Sequence, residues 1–266
     1  MTWANAKIKR IMVWKNWVEC MVYPINFATQ WPCPDGFHIP LKSEWEAVNN
    51  AGIALWAWSS SNGSWLKTYL KMPYCWDRNR TTSNIEWQGS WGNYWVSLAD
   101  SSDTRLANAF AFDSTYTVVW WKYRTTWLCI RAFRNNPIVP DSSWTVLKQW
   151  TWTAWIYYNS TLWLISISSD GTTWYTLADK NLWATTVYND GNTLSEANCG
   201  KYYQFWNNYW FPFTWSVTTS SSQVNAGSYW PWNYYSSSTF IIYSTWAWDS
   251  SWNNNLRWWV DWNVPN

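Results

Sequence analysis

The sequence predicts an α+β domain that is mostly antiparallel β, with one or two short helices and long loops. Three observations carry that prediction. Strand-like runs recur at 109–119, 122–131 and 156–168, where apolar and polar residues alternate as they do in strands with one buried face. A helix-start pattern stands at Ser43-Glu44-Trp45-Glu46, with Ser43 as N-cap and Glu46 three residues on. Residues 56–92 are rich in Ser, Asn, Thr and aromatics without a clear period, the mark of long loops over a small scaffold.

Taken in order, residues 1–28 read as an N-terminal β-hairpin, with Ile11 and Val13 alternating against Val18, Cys20 and Val22 across Asn16-Trp17. A domain over 29–136 follows. It opens on Pro32-Cys33-Pro34-Asp35-Gly36-Phe37-His38-Ile39-Pro40, a rigid, turn-rich loop leading into a short helix that ends near Asn50. Residues 92–134 then read as antiparallel strands. Residues 137–143, within the aperiodic run Asn135–Ser143 that carries two prolines, are the expected linker. Beyond it, 144–266 is β-rich: strands over Ile156–Ser168, a turn at Asp170-Gly171, more strand over Thr173–Leu182, and loop with occasional strand over Thr214–Ser238.

Charge and composition exclude several functions. With 18 Lys+Arg against 16 Asp+Glu the net charge is +2, which offers no electrostatic footprint for nucleic acid. No apolar run approaches the roughly 20 residues of a membrane span. Met1–Val13 also lacks the apolar core of a secretory signal, so the chain as written is cytoplasmic or its start lies upstream. Five scattered cysteines (Cys20, Cys33, Cys75, Cys129, Cys199) make neither a disulfide framework nor a zinc pattern, and no cofactor is expected. Asp100, Asp103 and Asp113 offer oxygens for Ca²⁺, but their spacing matches no EF-hand-type loop, so they read as solvated carboxylates and no metal site is expected.

Tryptophan usage is the anomaly. The chain has 33 Trp against 9 Gly. Many stand where tight turns favour glycine: Asn16-Trp17, Trp120-Trp121 between two strand-like runs, Asn208-Tyr209-Trp210, Tyr229–Asn233 and Arg257–Val260. An indole side chain adopts positive φ at a cost. Most of these tryptophans are therefore expected to be glycines encoded by UGA in a lineage that reads that codon as Gly. Trp45, Trp58, Trp95 and Trp174 sit in patterns that want a large aromatic and are expected to be genuine. The competing reading is an adhesive or sugar-binding surface truly rich in Trp.

Several stretches resemble one known family. Cys33–Val48 (CPDGFHIPLKSEWEAV) combines a Cys-Pro loop, Gly-aromatic-His and a Glu-Trp helix. Gly92–Ser102 (GNYWVSLADSS), Leu106–Ser114 (LANAFAFDS) and Tyr123–Asn135 (YRTTWLCIRAFRN) resemble its later strands, with Trp127 at a family Gly. These are similar to the Fibrobacter succinogenes major paralogous domain family. Asp170–Trp183 and Gly200–Trp210 resemble the opening half of the same domain, here placed after the Cys-Pro loop, so 144–266 is either a permuted complement or a truncated second copy. An end at Val264-Pro265-Asn266, where a Cys-Pro loop would follow, favours truncation. Ala132 replaces the family's last-strand Cys, and Cys129 lies three residues earlier, on the opposite strand face. The family-style bond to Cys33 is thereby in question.

The resemblance implies a C-type-lectin-like fold, similar to the formylglycine-generating enzyme group and to hypervariable receptor proteins, and a secreted or cell-surface recognition module. The candidate ligand-binding residues are Asn93, Tyr94, Trp95, Asp100, Asp103, Arg105 and Tyr116, adaptable hydrogen bonders around rigid aromatics. A protein or glycan is the expected partner. Cys33, His38, Ser43 and Glu46 are expected to be structural, and no catalytic residue is assigned. His38, the single histidine, is expected to lock its turn by hydrogen bonds, the alternative being a Cys33–His38 nucleophile pair. An oxidase-like enzyme using cysteines is the alternative function, with Cys75 and Cys129 as the pair that would have to meet.

Overall fold

The computed structural model describes residues 32–55, 63–75, 77–79, 85–86, 89–100, 103, 106–151, 154–205, 207, 209–213, 217–221 and 236–241. The expected hairpin of residues 1–28 lies outside these, as do Trp58, Arg105, Asn208 and the Trp-bearing stretches 229–233 and 257–260. In chain order the elements are β1 (Phe37–His38), α1 (Lys42–Leu55), α2 (Ser64–Tyr69), β2 (Asp77–Arg78), β3 (Ile85–Glu86), β4 (Gly92–Ala99), β5 (Leu106–Phe112) and β6 (Thr117–Tyr123). There follow β7 (Trp127–Leu128), β8 (Phe133–Arg134), β9 (Thr145–Thr151), β10 (Ala154–Asn159), β11 (Leu164–Ser168), β12 (Tyr175–Ala178), α3 (Glu196–Cys199), β13 (Tyr203–Gln204), β14 (Thr219–Ser220) and β15 (Phe240–Ile241). At 14% helix and 35% strand, the protein is mostly antiparallel β with few short helices.

A six-stranded sheet runs in the order β1-β8-β12-β11-β10-β9, and a three-stranded meander in the order β4-β5-β6. Both are antiparallel throughout. A smaller sheet, β13-β7-β2-β3, draws its strands from distant parts of the chain. Residues 137–143, expected as a linker, connect β8 to β9 within the six-stranded sheet, and Ile138 N–H donates to Thr176 Oγ1 at 2.8 Å. Strands on both sides of that stretch therefore share one sheet, and one apolar cluster holds Trp45 and Phe133 together with Ile156, Ile165 and Leu177.

Helix α1 packs against both the six-stranded sheet and the meander. Trp45 makes the join: fully buried, it stacks on Phe110 of β5 at 4.3 Å and meets Phe133 of β8 edge-on at 4.9 Å. The helix begins earlier than its sequence pattern indicates. Trp45 N–H donates to Leu41 O, and Glu44 Oε2 accepts the Leu41 N–H at 2.8 Å, so Leu41 is the cap and Glu44 the acid three residues on. Ser43 and Glu46 lie inside the first turns, where Glu46 pairs with Lys42 at 3.7 Å. The carboxylate that caps the helix is the one His38 also holds, and that second contact selects Glu44 over Glu46.

The turn expected at Trp120-Trp121 is not there. Both residues lie inside β6, opposite Ala109 and Asn108, and the chain reverses at 113–116 instead. There Asp113 Oδ1 accepts the backbone N–H groups of Thr115 (2.5 Å) and Tyr116 (2.9 Å). Asp supplies turn geometry through its side chain, while the run Thr117-Val118-Val119 prefers extended backbone. A reading of Trp120-Trp121 as a glycine-type turn misplaces the reversal, because both indoles suit extended backbone and the Asp113 side chain supplies the turn.

Candidate functional site

Strand alternation decides which of the expected ligand-binding residues reach solvent. In β4, Tyr94 faces the cluster around α1 while Trp95 faces a second cluster with Ala107, Ala109, Tyr203 and Phe205. Both sides of the strand are covered, so Asn93, Tyr94 and Trp95 are all buried and offer no binding face. Their polar atoms serve the fold: Tyr94 OH donates to Pro73 O at 2.7 Å and Trp95 Nε1–H to Tyr203 O at 2.7 Å. This corrects the expectation from composition, which sees aromatic and amide side chains but not a second layer over the strand.

The remaining expected residues that the structure describes, Asp100, Asp103 and Tyr116, fall at opposite ends of the meander. Asp100 and Asp103 close the β4–β5 connection on themselves, Asp103 N–H donating to Asp100 Oδ1 at 3.1 Å. Tyr116 stands at the other end, beside the Asp113 turn. Asp113 is therefore far along the strands from Asp100 and Asp103, and among the described residues no three His, Cys, Asp or Glu side chains converge on a metal position.

What the β6 edge does expose is an aromatic row. Trp91 meets Tyr116 edge-on at 4.9 Å and stacks on Trp120 at 5.9 Å with the rings 10° from parallel. Lys122 Nζ lies 5.1 Å over the Trp120 ring and donates to Asp77 Oδ2 at 2.7 Å. Trp120 is 38% exposed and Trp121 55% exposed. Sequence reasoning missed Trp91 and Lys122; for Lys122 the signal was the strand alternation that sets 118, 120 and 122 on one side of β6.

His38 is held from both ring nitrogens. Nδ1 lies 2.8 Å from Asn135 Oδ1 and Nε2 lies 2.8 Å from Glu44 Oε2, tying the Cys-Pro loop to the start of α1 and the end of β8. Neither nitrogen is directed at Cys33, which packs with Ile39, Ile130 and Ala132. Cys129 belongs to the other apolar cluster.

The other described cysteines meet. Cys75 follows Pro73-Tyr74, Cys129 follows β7 and Cys199 ends α3. The edge of β4 sets the first two side by side, Asn93 N–H donating to Cys75 O (3.4 Å) and Trp95 N–H to Cys129 O (3.0 Å). The thiols of Cys75, Cys129 and Cys199 lie close enough to perturb one another electrostatically. The Sγ atoms of Cys75 and Cys129 also reach Cys199 O at 3.7 and 3.4 Å. Asn181 closes the group, its Nδ2 donating to Cys199 O (3.0 Å) and Cys75 Sγ (3.1 Å). Chain spacing gave no hint of Cys199 or Asn181 in this cluster.

Burial pushes the thiols of Cys33, Cys75, Cys129 and Cys199 up from their ordinary range, so each is held as the neutral, unreactive form. In native protein at neutral pH, a water-soluble alkylating reagent is expected to leave these four cysteines unlabelled and to modify all four once denaturant is added. Peptide-resolved mass spectrometry reads the result. Rapid native labelling at Cys75 or Cys129 would show that the cluster opens to solvent.

Comparison with protein-family models, with curated proteins and with solved structures found no match for this chain. No helix among the described residues is long and apolar enough to cross a membrane.

Proposed function

We propose that the protein is a non-enzymatic recognition or adhesion module with a C-type-lectin-like fold, secreted or displayed at a cell surface, binding a protein or glycan ligand. The observation that carries this reading is an aromatic row in which Trp120, exposed on β6, stacks on the half-buried Trp91, which meets the half-buried Tyr116, with Lys122 over the Trp120 ring. Aromatic faces supply large, rigid contact area at low conformational cost, and the Lys122–Asp77 pair beside them adds polar contacts that orient a ligand. The Cys-Pro loop and strand motifs support the same class. The oxidase-like alternative needs thiolates at a solvent-reachable site, whereas the described thiols lie in the core as neutral groups.

Glycan-array and cell-binding measurements test the proposal. Trp91→Ala and Tyr116→Ala are expected to weaken binding about thirtyfold each, the size of a central contact residue, with the fold retained by circular dichroism. Binding that survives both substitutions unchanged would remove β6 as the ligand face, and turnover of a thiol peptide substrate would favour the enzyme.

A further inference from the structure

Backbone conformation separates the tryptophans into two kinds. Among the described residues three non-glycine positions have positive φ: Lys71 (56°), Trp163 (56°) and Trp183 (66°). Lys71 has a local reason, since it follows α2 where Met72 N–H returns to Leu66 O, a left-handed helix end open to several residue types. The two indoles stand at bends where Cβ is the obstacle.

Trp163 is the last residue of the four-residue loop joining β10 to β11, whose flanking partners are Asn159 and Leu164. Asn159 Oδ1 fixes the start of that loop by accepting the N–H groups of Thr161 (3.0 Å) and Leu162 (2.9 Å). At its end Trp163 O accepts Asp179 N–H at 2.9 Å, so pairing on both sides dictates the left-handed turn. Trp183 is the third residue of a turn closed by Ala184 N–H donating to Asn181 O at 3.0 Å. Positive φ at that position is the type II arrangement, which calls for glycine. Its neighbour is pinned as well: Leu182 N–H donates to Ile130 O, and Leu182 O accepts Lys201 N–H. Elsewhere the chain meets the same demand with glycine, at Gly36, Gly89, Gly171, Gly191 and Gly200, with φ between 73° and 92°.

Trp45 and Trp95 stand on regular helix and strand backbone, whereas Trp183, though packed half-buried against the second apolar cluster, shares the positive φ of Trp163. Trp45 lies in α1 and Trp95 in β4, both fully buried, one stacked between sheets and the other hydrogen-bonded through its indole nitrogen. A glycine at either would leave a void the size of a ring system.

We propose that positions 163 and 183 are glycine in the native protein, specified by UGA codons that its host translates as glycine, whereas 45 and 95 are true tryptophans specified by UGG. Backbone geometry leaves Trp120 and Trp121, which sit in a regular strand, outside this assignment. The Lys180 ammonium, 4.3 Å over the Trp163 ring, then has solvent on that side instead of an aromatic face.

Peptide mass spectrometry of protein from the source organism, set beside the gene's codons, decides the matter. Glycine mass at 163 and 183 with indole mass at 45 and 95 is the expected result. Indole mass at either 163 or 183, or UGG there, overturns the proposal. The conformational ground is tested separately on recombinant chain carrying Trp at every such position: Trp163→Gly and Trp183→Gly are each expected to raise the folding equilibrium constant about fivefold. Destabilisation by both exchanges would count against it.

Discussion

Trp45→Ala is expected to cost about 3–5 kcal/mol of folding stability, the range for removing a large buried aromatic. The indole is the contact through which α1 joins two sheets that do not hydrogen-bond to each other. One face lies on Phe110 at 4.3 Å, with the rings 6° from parallel, and the edge reaches Phe133 at 4.9 Å and Tyr94 at 6.3 Å. Truncation removes all three ring contacts together, and the β-sheet frameworks on either side limit how far the core can collapse into the space. Denaturant titration should show a lower midpoint with an unchanged slope. Trp174→Ala is the comparison: that indole lies near the Asp170 turn with its Nε1–H donating to Gly171 O at 3.2 Å, and its loss should be much smaller. Equal losses for the two would mean that the sheets are held together elsewhere.

Some of this fold is visible in residue order. The helix after the Cys-Pro loop, the strands of 92–134, the strand character of 156–168 and the bend at Asp170-Gly171 all follow from local period and turn chemistry, which need no knowledge of the tertiary structure. What escaped reading depends on layers. Tyr94 and Trp95 look amphipathic to opposite sides of a strand, and only the β13 segment lying over Trp95 shows that both sides are interior. The pairing of β8 with β12 joins residues 133 and 177, a contact no local pattern encodes. The three-thiol cluster arises the same way, from segments brought to one edge of β4 and capped by a four-residue helix. The aromatic row was hidden for a different reason: Trp120 at its centre reads in the sequence as a turn residue, and the register with β5 restores it to a strand face.

Arg131→Met should be nearly as damaging, at about 3–5 kcal/mol, because it strips a buried charge from groups arranged around it. The guanidinium is fully buried and clamps two backbone segments: Nη1–H donates to Ala178 O and Nη2–H to Lys71 O, each at 2.8 Å. Lys71 owes its left-handed backbone to the end of α2, and that conformation presents its carbonyl to the arginine. Without the donor the buried Ala178 carbonyl and the part-buried Lys71 carbonyl lose this partner, while methionine fills much of the volume, so the loss reports hydrogen bonding more than packing. Lysine would restore one bond but not the fork, and Arg131→Lys should recover only part of the stability. Acidity distinguishes this from a simple cavity. Burial raises the Asp179 carboxyl above its ordinary range, partly opposed by the Tyr158 hydroxyl at 2.9 Å and by the charges of Lys180 and Arg131. A carboxyl raised on folding favours the folded state below its unfolded pKa, and that advantage fades as pH climbs through the folded value. Deleting Arg131 raises the Asp179 value further, so Arg131→Met should lose more stability at neutral pH than in mild acid, and the added substitution Asp179→Asn should remove most of that difference. A loss that stays constant with pH would show that the guanidinium acts on the two carbonyls alone and leaves the carboxylate unaffected.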